Sequence, residues 1–351
     1  MYVVIAIIVF GLMIAIHELG HFISAKALGV RVNEFAIGMG PKILSKQGKE
    51  TLYSLRIFPF GGFCAMEEDE DAVDGRSFNA QKRWRRIIIL AAGSFANLVF
   101  AFIIVLILSS QAQVFGGTTI TGLVDDFPHK GEDGLMVGDR IVTINGERIF
   151  YRDDFAMFMS LAGGENIDLI VERDNARVTL NNFPLYLREF IVDGEVQVRY
   201  GIYLNLIEAT AMQRLRYSAY LTMNYVRIIR VSLAQLISGT VGVRDMSGPV
   251  HIVYIISDIG QESPTTTAAL GNIASLAAFI MVNLAVMNML PIPALDGGRI
   301  VFIFIAWVIE KISRKPLNPK YERYIHMATF MLLIGFMVFI LINDVVRIVY
   351  G

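Results

Sequence analysis

Residues 17–21 read His17-Glu18-Leu19-Gly20-His21 and follow an apolar run, because residues 1–16 contain no charged side chain. Positions four apart on an α-helix lie on one face, so the two histidines can reach a single metal ion together. The glutamate lies beside them, where a carboxylate can take a proton from water on the metal. Ionisable groups are costly inside a membrane and mark functional sites there. The pattern therefore predicts a metal centre within a membrane helix.

The composition agrees with a membrane protein. The chain has 351 residues, of which 54% are hydrophobic and 18% charged, and its mean hydropathy is +0.54. The N-terminal run lacks the basic start and cleavage site of a signal peptide, and it is apolar all round, unlike the amphipathic helix of a soluble metalloprotease. A net charge of −1 argues against a nucleic-acid partner. Cys64 is the single cysteine and is interpreted as a passive thiol, so a bound zinc ion must be held by histidine and carboxylate groups.

About four apolar segments are predicted to span the membrane. Basic loops follow the first span and precede the last, and the positive-inside rule places both loops in the cytoplasm. The metal motif is then near the cytoplasmic side. Gly93, Ala96 and Asn97 give the second span a small-residue face suited to close helix packing. The helical pattern from Ala209 to Ile237 carries four arginines and is predicted to lie on the external membrane surface.

Residues 51–63 predict a strand and a turn, because they are too short and too rich in proline and glycine to span as a helix. One interpretation is a re-entrant β-hairpin whose edge pairs with an extended substrate beside the metal site. The other is an interfacial anchor without a substrate role. The acidic run that follows, residues 67–71, is interpreted as a solvated face. If the segment is a re-entrant hairpin, the residues expected to contact substrate are Tyr53, Leu55, Ile57, Phe60, Gly61 and Gly62.

From residue 111 to about residue 205 the sequence has the character of a soluble β-rich domain. Charges return, and short strand-like runs alternate with Gly and Asn. The stretch from Gly134 to Gly146 fits the pattern G-L-x-x-G-D-x-I-x-x-I-N-G and resembles the signature of PDZ domains, which bind extended peptides or chain ends at a sheet edge. By topology this domain is extracytoplasmic. It either binds a peptide or acts as a steric filter over the membrane site.

A second part of the metal site is predicted near the C-terminus. Pro291 and Pro293 interrupt a long apolar segment, and Asp296 is the one charged residue between positions 265 and 298. A carboxylate in such a segment needs a cation, although it could instead cap the following helix. Two histidines and one aspartate leave a fourth position for water, which is typical of catalytic zinc. Asn283 and Asn288 on the preceding span could hold a substrate backbone, or they could pair with each other.

The order of these motifs resembles the site-2 protease family, in particular the bacterial regulator-of-sigma-E protease type with a single PDZ domain. The resemblance implies a polytopic α-helical membrane protein with a re-entrant β-hairpin and an inserted PDZ domain. It also implies a zinc-dependent intramembrane endopeptidase that cleaves single-span proteins, such as anti-sigma factors or signal-peptide remnants. One zinc ion per chain would be bound by His17, His21 and Asp296, with Glu18 as the catalytic base and with Asn283 and Asn288 holding substrate. His251 departs from the family pattern and is interpreted as incidental.

This interpretation divides the chain into four parts in a bacterial plasma (inner) membrane. The expected partners are single-span membrane protein substrates, membrane lipid and, at the PDZ domain, a possible peptide or chain-end ligand. The alternative is a non-proteolytic PDZ-containing scaffold with a structural metal site, which would normally need a fourth protein ligand. The predicted parts are residues 1–110 and 266–351 for the transmembrane core, 111–205 for the PDZ domain, and 206–265 for a membrane-surface amphipathic helix with its linker.

Overall fold

The computed structural model describes residues 2–68, 75–192, 195–240, 242, 248–314 and 319–350. Most of the predicted acidic run, residues 69–71, therefore lies outside the described residues. The chain divides into two compact units, of which one combines Met1–Leu108 with Ser218–Gly351 and the other is Ser109–Tyr217. The inserted unit therefore extends further toward the C-terminus than the predicted limit at residue 205.

The first unit begins with one helix, two strands and a second helix: α1 (Tyr2–Ala27), β1 (Val32–Gln47), β2 (Leu52–Met66) and α2 (Arg83–Ser109). The second unit contains β3 (Val114–Leu123), β4 (Arg140–Ile144), β5 (Glu147–Arg148), α3 (Arg152–Leu161), β6 (Ile167–Arg173), β7 (Ala176–Phe183), β8 (Arg188–Val192), β9 (Glu195–Arg199) and β10 (Ile202–Glu208). The chain then continues with α4 (Ala211–Ser238), α5 (Pro249–Glu262), α6 (Thr266–Asn288), α7 (Asp296–Ser313) and α8 (Pro319–Tyr350).

Four helices of the described chain are long and apolar enough to cross a membrane. They are α1, α2, α6 and the segment Tyr324–Asp344 of α8. Each supplies about the twenty residues that a bilayer core requires. The prediction of a polytopic membrane protein with four spans is therefore confirmed.

Helices α1 and α2 approach each other through small residues. A Cβ placed on Gly20 would overlap the carbonyl oxygen of Ala92 and would lie 2.9 Å from the Cβ of Ala96. Small residues allow such close backbone approach between membrane helices, where packing rather than hydrophobic burial drives association. The predicted small-residue face of α2 is therefore a helix-packing face.

Helix α4 packs against the bundle as well as being amphipathic. Ile229 is buried with residues of α1, α2 and α6, and the ring of Tyr225 contacts that of Phe279 at a centroid distance of 5.4 Å. Arg227 donates hydrogen bonds to Tyr220 and Asn224 of its own helix, which leaves an apolar stripe free for packing. The sequence predicted a helix on the external membrane surface, and the packing of Tyr225 and Ile229 shows in addition that one side of α4 contacts the other helices.

Helix α5 was not predicted from the sequence. It is too short to span a membrane, yet Ile256 is buried against Ala6 of α1 and Ile273 of α6. Its first backbone amides are satisfied from a distant helix, since the carboxylate of Asp344 in α8 accepts from the N–H groups of Gly248 at 2.9 Å and His251 at 3.1 Å. The first amides of a helix need such acceptors. Because Asp344 supplies them from α8, no side chain next to the start of α5 caps it.

Strands β1 and β2 are long, bent and paired with each other more than once. Glu34–Ile37 pairs with Leu52–Leu55 on one side and with Gly62–Ala65 on the other. Leu52–Leu55 also pairs with Leu44–Gln47. The two central segments of this small sheet are thus residues 34–37 and 52–55, and the outermost segments are residues 62–65 and 44–47.

The bend in β1 depends on glycine. Gly38 has a φ of +86°, in the left-handed region that favours glycine, and an added Cβ would lie 2.7 Å from the carbonyl oxygen of Phe58. In β2, Gly61 has a φ of +98°. These two positions let each strand turn back on itself, which brings residues 62–65 alongside β1.

The second unit is β-rich, as the sequence predicted. Its main sheet has the order β10-β3-β4-β6-β7, with β5 paired to β4. Asp139, in the Gly134–Gly146 motif, is fully buried and accepts hydrogen bonds from the amide of Met136 and from the guanidinium of Arg173, all at 2.8 Å. A buried carboxylate needs such partners, so the motif's aspartate anchors the turn that enters β4.

Candidate metal centre

His17 and His21 lie one turn apart on α1 and face the same point. Both are buried, and their Nε2 atoms are 3.2 Å apart, with the ring planes at 86°. The spacing of four residues places both rings on one helix face, as the sequence predicted. The helix therefore presents two imidazole nitrogens to one site inside the bundle.

Asp296 is the first residue of α7 and completes the cluster. Its Oδ2 atom lies 3.2 Å from His17 Nε2 and 3.3 Å from His21 Nε2. The N-cap position of α7 is Leu295 rather than Asp296, and the Asp296 carboxylate contacts the two histidines. A Cβ on Gly297 would overlap two carbonyl oxygens of the preceding loop, so glycine is needed for α7 to begin this close to it.

The three donor atoms fit a zinc ion. They lie 3.2 to 3.3 Å from one another, a nearly equilateral triangle. Tetrahedral zinc holds nitrogen and oxygen ligands at about 2.0–2.1 Å, which places neighbouring ligand atoms about 3.3 Å apart. Within the described part of the chain, no further His, Cys, Asp or Glu joins this group. Three protein ligands leave one position for water, as in catalytic zinc sites.

A hydrogen bond on the side of the ring away from the cluster fixes the orientation of His21. Its Nδ1 is 2.8 Å from the carbonyl oxygen of Ile89 on α2, so that nitrogen carries the proton and donates it. The Nε2 atom then presents its lone pair to the cluster. Such a hydrogen bond from the second ring nitrogen is the usual way in which proteins orient a metal-binding histidine.

Gly93 on α2 makes room for both rings. A Cβ at this position would overlap His21 Nε2 and would lie 2.8 Å from His17 Cε1. The sequence predicted Gly93 as a helix-packing residue, and the structure shows that it also contacts the metal cluster. The pattern gave no sign of this second role, because the contact depends on how α2 faces α1.

Glu18 lines a cavity of about 250 Å³ beside the cluster, together with Ile14, His17 and Asp296. The Cβ that Gly62 lacks would lie 3.6 Å from Glu18 Cγ. Gly62, in the outermost segment 62–65 of β2, therefore lies next to the carboxylate predicted to act as the base. The remaining residues that line this cavity are Leu284, Asn288, Ala294 and Leu295.

The two asparagines of α6 differ in position. The Nδ2 of Asn288 is 3.3 Å from His17 Nε2, and Asn288 lines the cavity. Asn283 does not line it, because five residues along a helix place a side chain on a different face. The structure therefore brings Asn288, but not Asn283, to the cluster.

The predicted substrate residues of the hairpin also separate into two groups. Tyr53 and Leu55 belong to a central segment whose backbone is paired on both sides, so that segment has no edge for strand addition. Gly62 lies in the outermost segment, next to Glu18, and Gly61 directly precedes it. Ile57 is 52% exposed near the bend, and the side chain of Phe60 lies outside those described. The outermost segment near Glu18 is therefore residues 62–65, whereas the sequence had predicted substrate contacts from residue 53 onward.

Cys64 behaves as the sequence predicted. Burial, with a smaller contribution from the nearby Glu18 carboxylate, raises the pKa of its thiol to about 12. The group is therefore neutral at physiological pH and is a poor nucleophile and a poor metal ligand. It does not belong to the metal cluster.

Comparisons with known proteins agree with this geometry over nearly the whole chain. The family described as peptidase family M50 matches residues 5–336. A Clostridium perfringens protein with the provisional name zinc metalloprotease is 38% identical over 349 residues, which covers 99% of both chains. The zinc metalloprotease RasP of Bacillus licheniformis and the regulator of sigma-W protease RasP of Bacillus subtilis are each 28% identical. These matches cover 97% of this chain and 98% and 97% of the two relatives. The predicted family is thereby confirmed: the chain belongs to peptidase family M50, the site-2 protease family.

Proposed function

We propose that this chain is a zinc-dependent intramembrane endopeptidase in which His17, His21 and Asp296 bind the ion and Glu18 is the catalytic base. The observation that carries the proposal is the triangle of three donor atoms, 3.2 to 3.3 Å on each side, with Glu18 in the adjoining cavity. The family match and the names of the relatives agree with zinc-dependent proteolysis.

In this mechanism the chain's own groups position the reactants and move the proton. Zinc, when bound, supplies a Lewis acid that polarises the scissile carbonyl and makes a water more acidic. Glu18 accepts a proton from the attacking water on its carboxylate and then delivers it to the leaving amine. The Asn288 amide, 3.3 Å from His17 Nε2, is placed to hold the substrate backbone next to these groups. Asn283 has no such position, so the proposal gives it no substrate contact.

The proposed substrate is a membrane span opened into an extended strand. A helical segment hides its carbonyl groups in internal hydrogen bonds, so it must unwind before attack. The outermost segment of the sheet, Gly62–Ala65, is paired with Glu34–Ile37 on one side, so an extended chain can be added at its other edge, and Gly62 lies next to Glu18. Tyr53 and Leu55 support this segment from the centre of the sheet rather than pairing with substrate. This assignment also favours a re-entrant hairpin over an interfacial anchor for β1 and β2.

The proposed setting is a bacterial plasma membrane with the metal cluster near the cytoplasmic side. The basic residues that flank the spans support this orientation through the positive-inside rule. The β-rich unit Ser109–Tyr217 would then be extracytoplasmic, and the motif around Asp139 supports a PDZ domain that binds a chain end or filters substrates by size. Single-span proteins such as anti-sigma factors are the proposed substrates, and the name of the Bacillus subtilis relative, regulator of sigma-W protease, is consistent with a role in sigma-factor regulation.

The test compares the purified full-length protein with its Glu18→Gln variant. Both are incubated with a tagged single-span model substrate, and their zinc content is determined by elemental analysis. Cleavage by the unchanged protein alone, with equal zinc in both, supports Glu18 as the base. Substantial cleavage by the variant would remove Glu18 from that role. Zinc in both proteins without cleavage of any single-span substrate would instead favour the non-proteolytic scaffold.

A further inference from the structure

We propose that His326 of α8 is a positioning residue, which holds the loop before α7 in the conformation that delivers Asp296 to the metal cluster. The proposal rests on the proposed function for the identity of the cluster, but the contact that carries it lies outside the metal ligands. It adds a residue of the last predicted span to the apparatus around the site.

The loop contains an unusual backbone conformation. Ala294 has a φ of +79°, in the left-handed region that residues with a Cβ rarely adopt. This residue stands two positions before Asp296, and it lines the cavity with His17 and Glu18. A strained conformation persists only where its surroundings hold it, and such positions are frequent at functional sites.

His326 provides that support directly. The backbone N–H of Ala294 donates a hydrogen bond of 2.8 Å to His326 Nδ1. A nitrogen that accepts a hydrogen bond carries no proton, so the neutral ring holds its proton on Nε2. The imidazole also lies beside Phe302 of α7, with ring centroids 6.1 Å apart. One side chain of α8 therefore contacts both the loop and the helix that carry Asp296 into the site.

Loss of this support would change the distances among the three donor atoms of His17, His21 and Asp296. If the acceptor at position 326 is removed, Ala294 loses a hydrogen-bond partner and can return to a negative φ. The following residues, Leu295 and Asp296, would then shift. Metal and catalytic groups need placement to within about 0.5 Å, and loss of an orienting partner typically lowers metal affinity about 10- to 100-fold.

The experiment uses the full-length protein in detergent and three variants. His326→Leu replaces the ring with an apolar side chain that cannot accept a hydrogen bond. His326→Asn places an amide oxygen close to the position of Nδ1. Met327→Leu changes the exposed neighbour on the same helix and is the matched control. Zinc affinity is measured by competition with a chelator, and hydrogen–deuterium exchange is followed in a peptide that contains Ala294.

We expect His326→Leu to weaken zinc binding at least tenfold and to accelerate exchange at Ala294. His326→Asn should restore both quantities to within about threefold, and the control should resemble the unchanged protein. The proposal is overturned if the leucine variant keeps its zinc affinity, or if the asparagine variant is as impaired as the leucine variant. A failure of the proposed function would be recognised separately, because exchange at Ala294 requires neither bound zinc nor cleavage.

Discussion

Replacing Gly93 with alanine adds one methyl group at the back of the metal cluster. The new Cβ would overlap His21 Nε2 and would lie 2.8 Å from His17 Cε1. Carbon atoms in contact normally lie about 3.5–4.0 Å apart, so the rings would have to move by about 0.7 Å or more. His21 cannot move freely, because its Nδ1 is held by the Ile89 carbonyl group. We therefore expect the substitution to distort the donor triangle.

The magnitude follows from the cost of overpacking. An extra methyl group forced into a well-packed site typically costs about 1–3 kcal/mol. If this cost falls on the metal-bound geometry, the dissociation constant for zinc rises about 5- to 150-fold, because 1.4 kcal/mol corresponds to a factor of ten. The change also improves the intrinsic helix propensity of α2, so a general loss of helix cannot explain weaker binding.

The assay is a zinc competition titration of the purified protein, with cleavage of a single-span substrate as a second measurement. Gly271→Ala is the matched control, because Gly271 also lies in a predicted span and an added Cβ would meet no atom within 4 Å. The control should bind zinc like the unchanged protein. Zinc affinity and cleavage within twofold of the unchanged protein for Gly93→Ala would refute the assignment of Gly93 as a packing partner of the ligand rings.

Two further predictions concern charged groups. Asp296→Asn should lower the zinc content of the purified protein, because an amide is a weaker ligand than a carboxylate; unchanged zinc stoichiometry would exclude Asp296 as a ligand. Hydrogen bonds from Arg76 and then Lys26 lower the pKa of Glu50 from 4.5 to about 2. A lowered folded-state pKa gives stability that is fully present above pH 4.5 and is lost as the pH falls toward 2. Glu50→Gln should therefore weaken the pH dependence of thermal unfolding in that interval, and an unchanged profile would contradict the reasoning.

The cluster of His17, His21 and Asp296 was largely predictable from the sequence. Two histidines four residues apart on an apolar helix and one carboxylate in a second apolar segment have few uses other than a shared cation. The structure brings His17, His21 and Asp296 together as predicted. This success rests on helix periodicity, which fixes directions locally, and on the cost of unpaired charge in an apolar segment.

The parts that were missed depend on pairing between distant segments. The sequence of β2 does not reveal that Leu52–Leu55 is central and Gly62–Ala65 outermost, since that arrangement depends on bends at Gly38 and Gly61. Helix α5 was missed although Pro249 stands at its first position, because no local side chain caps it and the acceptor comes from Asp344, nearly a hundred residues later. Contacts of this kind are set by tertiary structure, which periodicity and local propensity do not encode.

The donor triangle draws its members from the two ends of the chain, because the histidines are in the first helix and Asp296 is in the seventh. During synthesis the histidines enter the membrane long before the ribosome reaches the aspartate. A nascent chain therefore has two ligands and no completed site. Because binding needs the full donor set, hydrolytic activity would begin only after the third candidate span and the start of α7 have been made.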